Sequence, residues 1–267
     1  MIDYLSLTIN IPPEKDYIEN HGEITEDKSR KGIYKFMCKL DKALVLFLPH
    51  KFDEKRNSRI RFTKIIINPK DFICYDDMEV YLFAIFDNPD LKPEDFKISR
   101  IDIAADIEDL ISESLLATLN IKRIRIDSFS FFKGTIYGGS SIKIRIYDKV
   151  KEIKARLKKG NEISEYGKGL LESGKKWTRF EIEIKKPNMT LKDMIDNYES
   201  LASYFNRLEF FKHDDNEKSG IMQIMYKNIN RKFRKQLEEL KDNNLVEKIK
   251  AKYIESVTKW IASEEPF

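Results

Sequence analysis

Three short runs of this chain alternate apolar and polar residues, and each polar set carries groups able to do chemistry. In Ser141-Ile142-Lys143-Ile144-Arg145-Ile146-Tyr147-Asp148-Lys149 the set is Lys143, Arg145 and Tyr147. In Ile98-Ser99-Arg100-Ile101-Asp102-Ile103-Ala104-Ala105-Asp106 it is Arg100, Asp102, Ala104 and Asp106. In Trp177-Thr178-Arg179-Phe180-Glu181-Ile182-Glu183-Ile184-Lys185 it is Arg179, Glu181, Glu183 and Lys185. Side chains of a strand alternate faces with period two. If the three strands share one sheet, a tyrosine, four carboxylates and three arginines meet on one surface.

Tyr147 is the candidate nucleophile. A phenol has an unperturbed pKa of about 10, so it attacks only after activation by a base, a metal or a nearby positive charge. Aimed at a phosphodiester, it would leave a phosphotyrosine link and a free 3′-hydroxyl, and the bond energy would be kept for rejoining. Arg145 shares its face. Lys149 would join them if the strand continues, placed to stabilise the phenolate or the pentavalent charge.

The carboxylates suggest a metal site. A divalent ion would act as a Lewis acid on the phosphate and align it for in-line displacement. Asp102 and Asp106 are roughly 13–14 Å apart along a strand, and Glu181 and Glu183 about 7 Å. A site would therefore draw ligands from different strands, among Asp102, Glu181, Glu183 and Asp106. Oxygen ligands without cysteine or clustered histidine favour Mg²⁺ or Mn²⁺; His21, His50 and His213 are isolated. The same faces are also what the solvated side of an antiparallel sheet looks like, with Arg100 and Asp102, or Arg179 and Glu181, as cross-strand ion pairs. Sequence leaves both readings open.

At 267 residues the chain can hold one large domain or two small ones and bury a core without staples. Cys38 and Cys74 lack metal-ligand spacing and are too few for a disulfide framework, which points to a reducing, cytoplasmic setting. No apolar run approaches the roughly 20 residues of a membrane span, and no leader-like start is present, so no membrane partner is expected. Net charge is only +4, but it is uneven. From Lys143 to Lys159 there are eight basic residues against two acidic ones, including Lys151, Lys154 and Arg156 beside the candidate tyrosine. A second basic stretch runs Lys227, Arg231, Lys232, Arg234, Lys235. Both fit nucleic acid, as they fit solvated helix faces.

Elements that would position these residues follow from periodicity and punctuation. Strands are expected over Tyr4–Asn10, Ile33–Leu40, Ala43–Leu48, Ile60–Ile67, Ile98–Ile107, Arg125–Phe132, Thr135–Tyr137, Ile142–Tyr147 and Trp177–Lys185. Gly138-Gly139 is expected to close a hairpin. Helices are expected over Asp76–Phe86, Ser112–Leu119 with Ser112 as cap, and Lys151–Lys159, with Gly160–Gly174 a polar loop. From Leu191 on the chain reads as charged helices. The fold class is α+β: a largely antiparallel sheet with helices on one face over residues 1–186, then a helical region over 187–267.

Taken in order, Ile2-Asp3-Tyr4-Leu5-Ser6, Ile66-Ile67-Asn68-Pro69, Ser99 to Asp106, Thr135-Ile136-Tyr137-Gly138-Gly139-Ser140, Ile144-Arg145-Ile146-Tyr147-Asp148-Lys149 and Trp177 to Glu183 resemble rolling-circle replication initiators of the Rep_trans type. This replication initiation factor family includes relaxases of some integrative elements. The resemblance spans about Ile2 to Lys185. It implies a metal-dependent, site-specific nicking and joining enzyme on single-stranded or origin-hairpin DNA, on a sheet related to the two-histidine nickases. It also implies Tyr147 as nucleophile, Asp102, Glu181 and Glu183 as metal ligands with Asp106 beside them, and a homodimer or host helicase as partners. Arg100, Lys143, Arg179, Lys151, Lys154 and Arg156 would contact DNA, and Arg231, Lys232 and Arg234 in the tail would hold phosphates. The chain is short for such initiators and lacks the N-terminal helix-turn-helix of the relaxase branch, which favours a plasmid or viral initiator. The competing readings are a conjugative relaxase with the same chemistry and a non-catalytic DNA-binding protein on the same scaffold. Tyr137 and Tyr166 are weak candidates for a second nucleophile, because neither sits on the shared polar face with a neighbouring arginine.

Overall fold

A computed structural model describes residues 1–26, 34–48, 63–108, 115–119, 124–128, 135–138, 141–212 and 243–262. The basic stretch with Arg231, Lys232 and Arg234, the Ser112 cap and the turn at 139–140 lie outside them. The fold is mixed α/β with a large antiparallel sheet. It divides into two compact units, each assembled from separate stretches of chain.

The first unit comprises Met1–Ile103, Glu183–Ser200 and Glu255–Phe267. Its sheet uses β1 (Ile2–Ile9), β2 (Glu23–Glu26), β3 (Phe36–Lys39), β4 (Ala43–Phe47), β5 (Thr63–Ile67), β6 (Lys97–Glu108) and the end of β11 (Trp177–Lys185). The order is β2-β3-β4-β5-β1-β6-β11. Alternation does the sorting: Leu5, Leu7, Val45, Ile65 and Ile101 turn to one side and are fully buried. Helix α2 (Tyr75–Ala84) contributes Tyr75, Met78 and Leu82 to this core. The other side carries Tyr4 opposite Asp102 and Ser6 opposite Arg100. Helix α1 (Lys15–His21) ends at Gly22, where an added Cβ would lie 2.8 Å from the Lys39 carbonyl and 2.9 Å from Leu40 Cδ2. Gly22→Ala should therefore cost about 1–3 kcal/mol, read as a lowered melting temperature; an unchanged melt would mean that the contact relaxes freely.

The second unit comprises Ala104–Ile182 and Leu201–Ile254. Its larger sheet has the order β6-β11-β10-β9-β8, with β8 at Ile124–Ser128, β9 at Thr135–Gly138 and β10 at Ile142–Asp148. Ile142 opposes Gly138 and Arg145 opposes Thr135, the antiparallel pairing expected of flanking hairpin strands. Helix α3 (Lys149–Leu157) follows β10 directly.

Three elements of the second unit run against expectation. Leu115–Leu119 forms strand β7 rather than helix, because β12 (Leu208–Lys212) supplies an antiparallel ladder for it. Tertiary pairing overrides the helix propensity of its Leu and Ala residues. The stretch expected to be a polar loop contains α4 (Glu165–Glu172), capped by Ser164, whose Oγ accepts from Gly167 N. Gly167 and Gly169 read as breakers, yet Gly167 is buried where a Cβ would already touch Ile153 and Ile163. Beyond Leu191, α5 (Leu191–Asp196), α6 (Tyr198–Leu201) and α7 (Asn243–Ile261) are helical, but β12 is not. Among the described residues no helix is long and apolar enough to cross a membrane.

Candidate active site

In the second unit β10 runs into α3 without a loop. Asp148 makes the turn, its Oδ1 accepting from Lys151 N at 3.0 Å, so Tyr147 is the last residue on the polar face before the helix begins. Its hydroxyl donates to Glu181 Oε2 at 2.9 Å. Arg145, two residues earlier and on the same face, donates from Nη1 to Glu181 Oε1. Phenol, acceptor and the cation orienting that acceptor thus stand in one chain of contacts. The Glu181 side chain is 7% exposed and that of Arg145 24%, which leaves the arginine the more accessible to a ligand.

Lys149 does not continue the strand. It opens α3, is buried, and sets Nζ 5.8 Å from the centre of the Tyr147 ring while bonding Glu152 Oε2 at 2.8 Å. The helix places positive charge near the phenol by a different route from the one expected. Further along α3, Lys151 (60% exposed), Lys154 and Arg156 face solvent, and Lys143 is half-buried on β10.

Asp106 and Arg179, also in the second unit, are both buried. Arg179 Nε reaches Asp106 Oδ1 at 2.7 Å and Nη2 reaches Oδ2 at 2.6 Å. Tyr166, on the first turn of α4, donates to Asp106 Oδ2 at 2.5 Å. Burial pushes the Asp106 carboxyl up, but the charge and hydrogen bonds of Arg179, with the Tyr166 hydrogen bond, outweigh it and hold the group below the usual carboxylate range. Burial, followed by the Asp106 charge, pushes the Tyr166 phenol far up.

The first unit has its own cluster. Arg100 Nε and Nη2 grip Asp102 at 2.8 and 2.5 Å, and Nη2 also reaches Glu183 Oε2 at 3.1 Å. The guanidinium carbon lies 4.3 Å from the centre of the Tyr4 ring. Lys185 pairs with Glu183 at 3.4 Å. Burial, then the neighbouring Arg100 charge, lowers the pKa of Lys64.

The polar faces are therefore not the solvated sides of a sheet. Asp102, Asp106, Arg179, Glu181 and Glu183 are all at most 5% exposed. No family model matches the sequence, and neither a curated protein nor a solved structure matches the chain. As arranged the clusters do not fit a divalent ion, because each candidate carboxylate is held by an arginine: Asp102 and Glu183 by Arg100, Asp106 by Arg179, Glu181 by Arg145. Among the described residues no three His, Cys, Asp or Glu side chains gather in a metal-holding group.

Sequence reasoning set one participant aside and missed another. Tyr166 counted only as a weak candidate, since its partner Asp106 comes from a strand distant in the chain and the glycines around it disguised its helix. Tyr4 could have been found from the alternation of Tyr4, Ser6 and Thr8, which puts it on the face of Arg100.

Proposed function

We propose that this chain is a single-stranded DNA nicking and joining enzyme of the rolling-circle initiator kind, with Tyr147 as nucleophile and Glu181 as its base. The observation that carries the reading is the 2.9 Å bond from the Tyr147 hydroxyl to a carboxylate that an arginine orients. That is the constellation of an activated nucleophile: attacking group, base within hydrogen-bond reach, and a third group holding the base.

In the first step Glu181 takes the phenol proton as Tyr147 Oη bonds to phosphorus and the bond from phosphorus to the 3′-oxygen breaks. The proton passes to the leaving oxygen, giving a free 3′-hydroxyl and a 5′-phosphotyrosine. Arg145, half-buried beside the phenol, neutralises charge on the equatorial oxygens. Lys149 keeps positive potential at the ring. Rejoining reverses each transfer. The exposed Lys151, Lys154 and Arg156 of α3 are proposed to carry the strand's phosphates up to Tyr147.

The test is incubation with a pool of labelled single-stranded and hairpin oligonucleotides, with and without Mn²⁺, then denaturing electrophoresis and peptide mass mapping. A covalent adduct at Tyr147, lost in Tyr147→Phe, is the expected result; an adduct that survives in Tyr147→Phe removes the assignment. The arginine-paired carboxylates favour one second reading, a DNA-binding protein on the same scaffold without chemistry. It expects binding with a steep salt dependence and no adduct under any condition. Replacing Lys151, Lys154 and Arg156 together by Gln should flatten the salt dependence of binding by about 2 in log–log slope, taking about 0.7 per single-strand phosphate. A slope equal to that of the unaltered chain would remove α3 from the DNA path.

A further inference from the structure

Lys64 is a half-buried cation of the first unit with no hydrogen bond or ion pair among the described residues. It stands on β5, on the polar face of the sheet, with Leu46 of β4 and Thr8 of β1 as its direct neighbours across the two ladders. Ile66 shares its face two residues on, and Leu44 stands opposite Ile66, so Leu44, Leu46 and Ile66 form a half-exposed apolar strip around it. The charges of this face do not compensate the lysine. Lys39 on β3 and Lys97 and Arg100 on β6 are cations. Asp102 and Glu183 are bonded to Arg100, and Glu23 lies on the edge strand opposite Lys39. Burial, then the Arg100 charge, lowers the Lys64 pKa. Lys168 and Lys192 show the opposite case: each bonds a carboxylate of its own helix, Glu165 or Asp196, and is held above the ordinary lysine value.

An unpaired ammonium in a half-desolvated place costs the fold free energy, whereas a free amine there is a nucleophile. An ordinary lysine, with a pKa of about 10.4, holds roughly one free amine in a thousand near neutral pH; apolar neighbours and a second cation raise that share. We propose that Lys64 is a modification site, acylated by small acyl thioesters or acyl phosphates whose chain lies over Leu46 and Ile66. The amine nitrogen bonds to the carbonyl carbon, and the carbon–sulfur bond breaks, or the carbon–oxygen bond of an acyl phosphate. Thiolate or phosphate leaves with the electron pair, the nitrogen gives its proton to water, and an amide remains. The product is neutral, which relieves the repulsion on Arg100 and leaves no ammonium to solvate in the apolar strip. A longer acyl chain covers more of that strip, so the donor preference runs from acetyl up to butyryl. The proposal does not depend on the Tyr147 chemistry.

The test compares Lys64 with Lys97, an exposed lysine on the same face. The full chain is treated to low extent with acetyl-, propionyl- or butyryl-coenzyme A, or with acetyl phosphate, at about pH 7.5. The remaining amines are then capped with a heavy reagent in denaturant, and peptide mass spectrometry reads the extent at each lysine. Lys64 is expected to react at least about fivefold faster than Lys97, by a ratio that grows with chain length. At about pH 10.5, where exposed amines are largely free as well, the ratio should fall below about two. Leu46→Glu sets a carboxylate directly opposite Lys64 and should bring the ratio below about two at pH 7.5 as well. Leu46 is half-exposed, and a melt reports whether that variant folds; if it does not, the unaltered chain at the two pH values decides alone. Equal or slower reaction at Lys64 than at Lys97 in the unaltered chain overturns the site. A fivefold ratio that persists in folded Leu46→Glu, or at pH 10.5, overturns the surroundings as the source of the reactivity, and the proposal with them.

Discussion

Glu181→Gln is expected to slow covalent capture of DNA by Tyr147 about 10²–10⁴-fold, the range in which a positioned general base contributes. Glutamine keeps the shape and can still accept the phenol hydrogen bond, but it takes no proton. Single-strand affinity should change little, because Arg145 is then released from a charged partner and remains available to phosphate. Single-turnover adduct formation beside fluorescence anisotropy separates the two quantities. A loss under threefold would mean that the 2.9 Å contact orients the ring without activating it.

The largest stability effect should come from Asp106→Ala. Removing one partner of a buried, doubly bonded ion pair strands the other, at a cost of about 3–5 kcal/mol, and Arg179 at 1% exposure has no route to water. Tyr166 loses its acceptor in the same change. Urea unfolding reads the difference, and a cost below 1 kcal/mol would show that the cluster rearranges. The same pair sets a pH dependence. The folded Asp106 pKa is depressed, so the unfolded chain binds the proton more readily and stability rises with pH across that window. The contribution is complete well above the unfolded aspartate value of about 3.9 and is lost as pH falls through the folded one. Asp106→Asn should remove that acid-side slope; a slope that persists assigns it to other carboxylates.

The strands that carry the chemistry were legible because apolar residues recur at every second position along most of each one, from Ile101 to Ile107, Ile142 to Ile146 and Phe180 to Ile184. What alternation cannot tell is which side faces water. Both faces of β6 are buried from Ile101 to Ile107, so its carboxylates had to find arginines. Three of the expected metal ligands, Asp102, Glu183 and Asp106, turn out to be partners of the expected DNA-contacting Arg100 and Arg179, while Glu181 takes Arg145. The strand at Leu115–Leu119 was illegible for a similar reason: its ladder is completed by Leu208–Lys212, far along the chain. Helix α4 was hidden by its glycines, and with it went Tyr166.

The division of the chain bears on how it is made. The path passes from one unit to the other after Ile103, Ile182, Ser200 and Ile254. Neither unit is a continuous stretch, and the second has all its residues once Ile254 is made, while the first still lacks its last segment. The first unit waits for Glu255–Phe267, its last segment, and Trp260 packs edge-on against Tyr75 within it. Until then Tyr75 of α2 lacks that ring contact. Truncation after Ile254 would withdraw material from the first unit alone, the Trp260 ring with it, and leave every residue of the second unit in the chain.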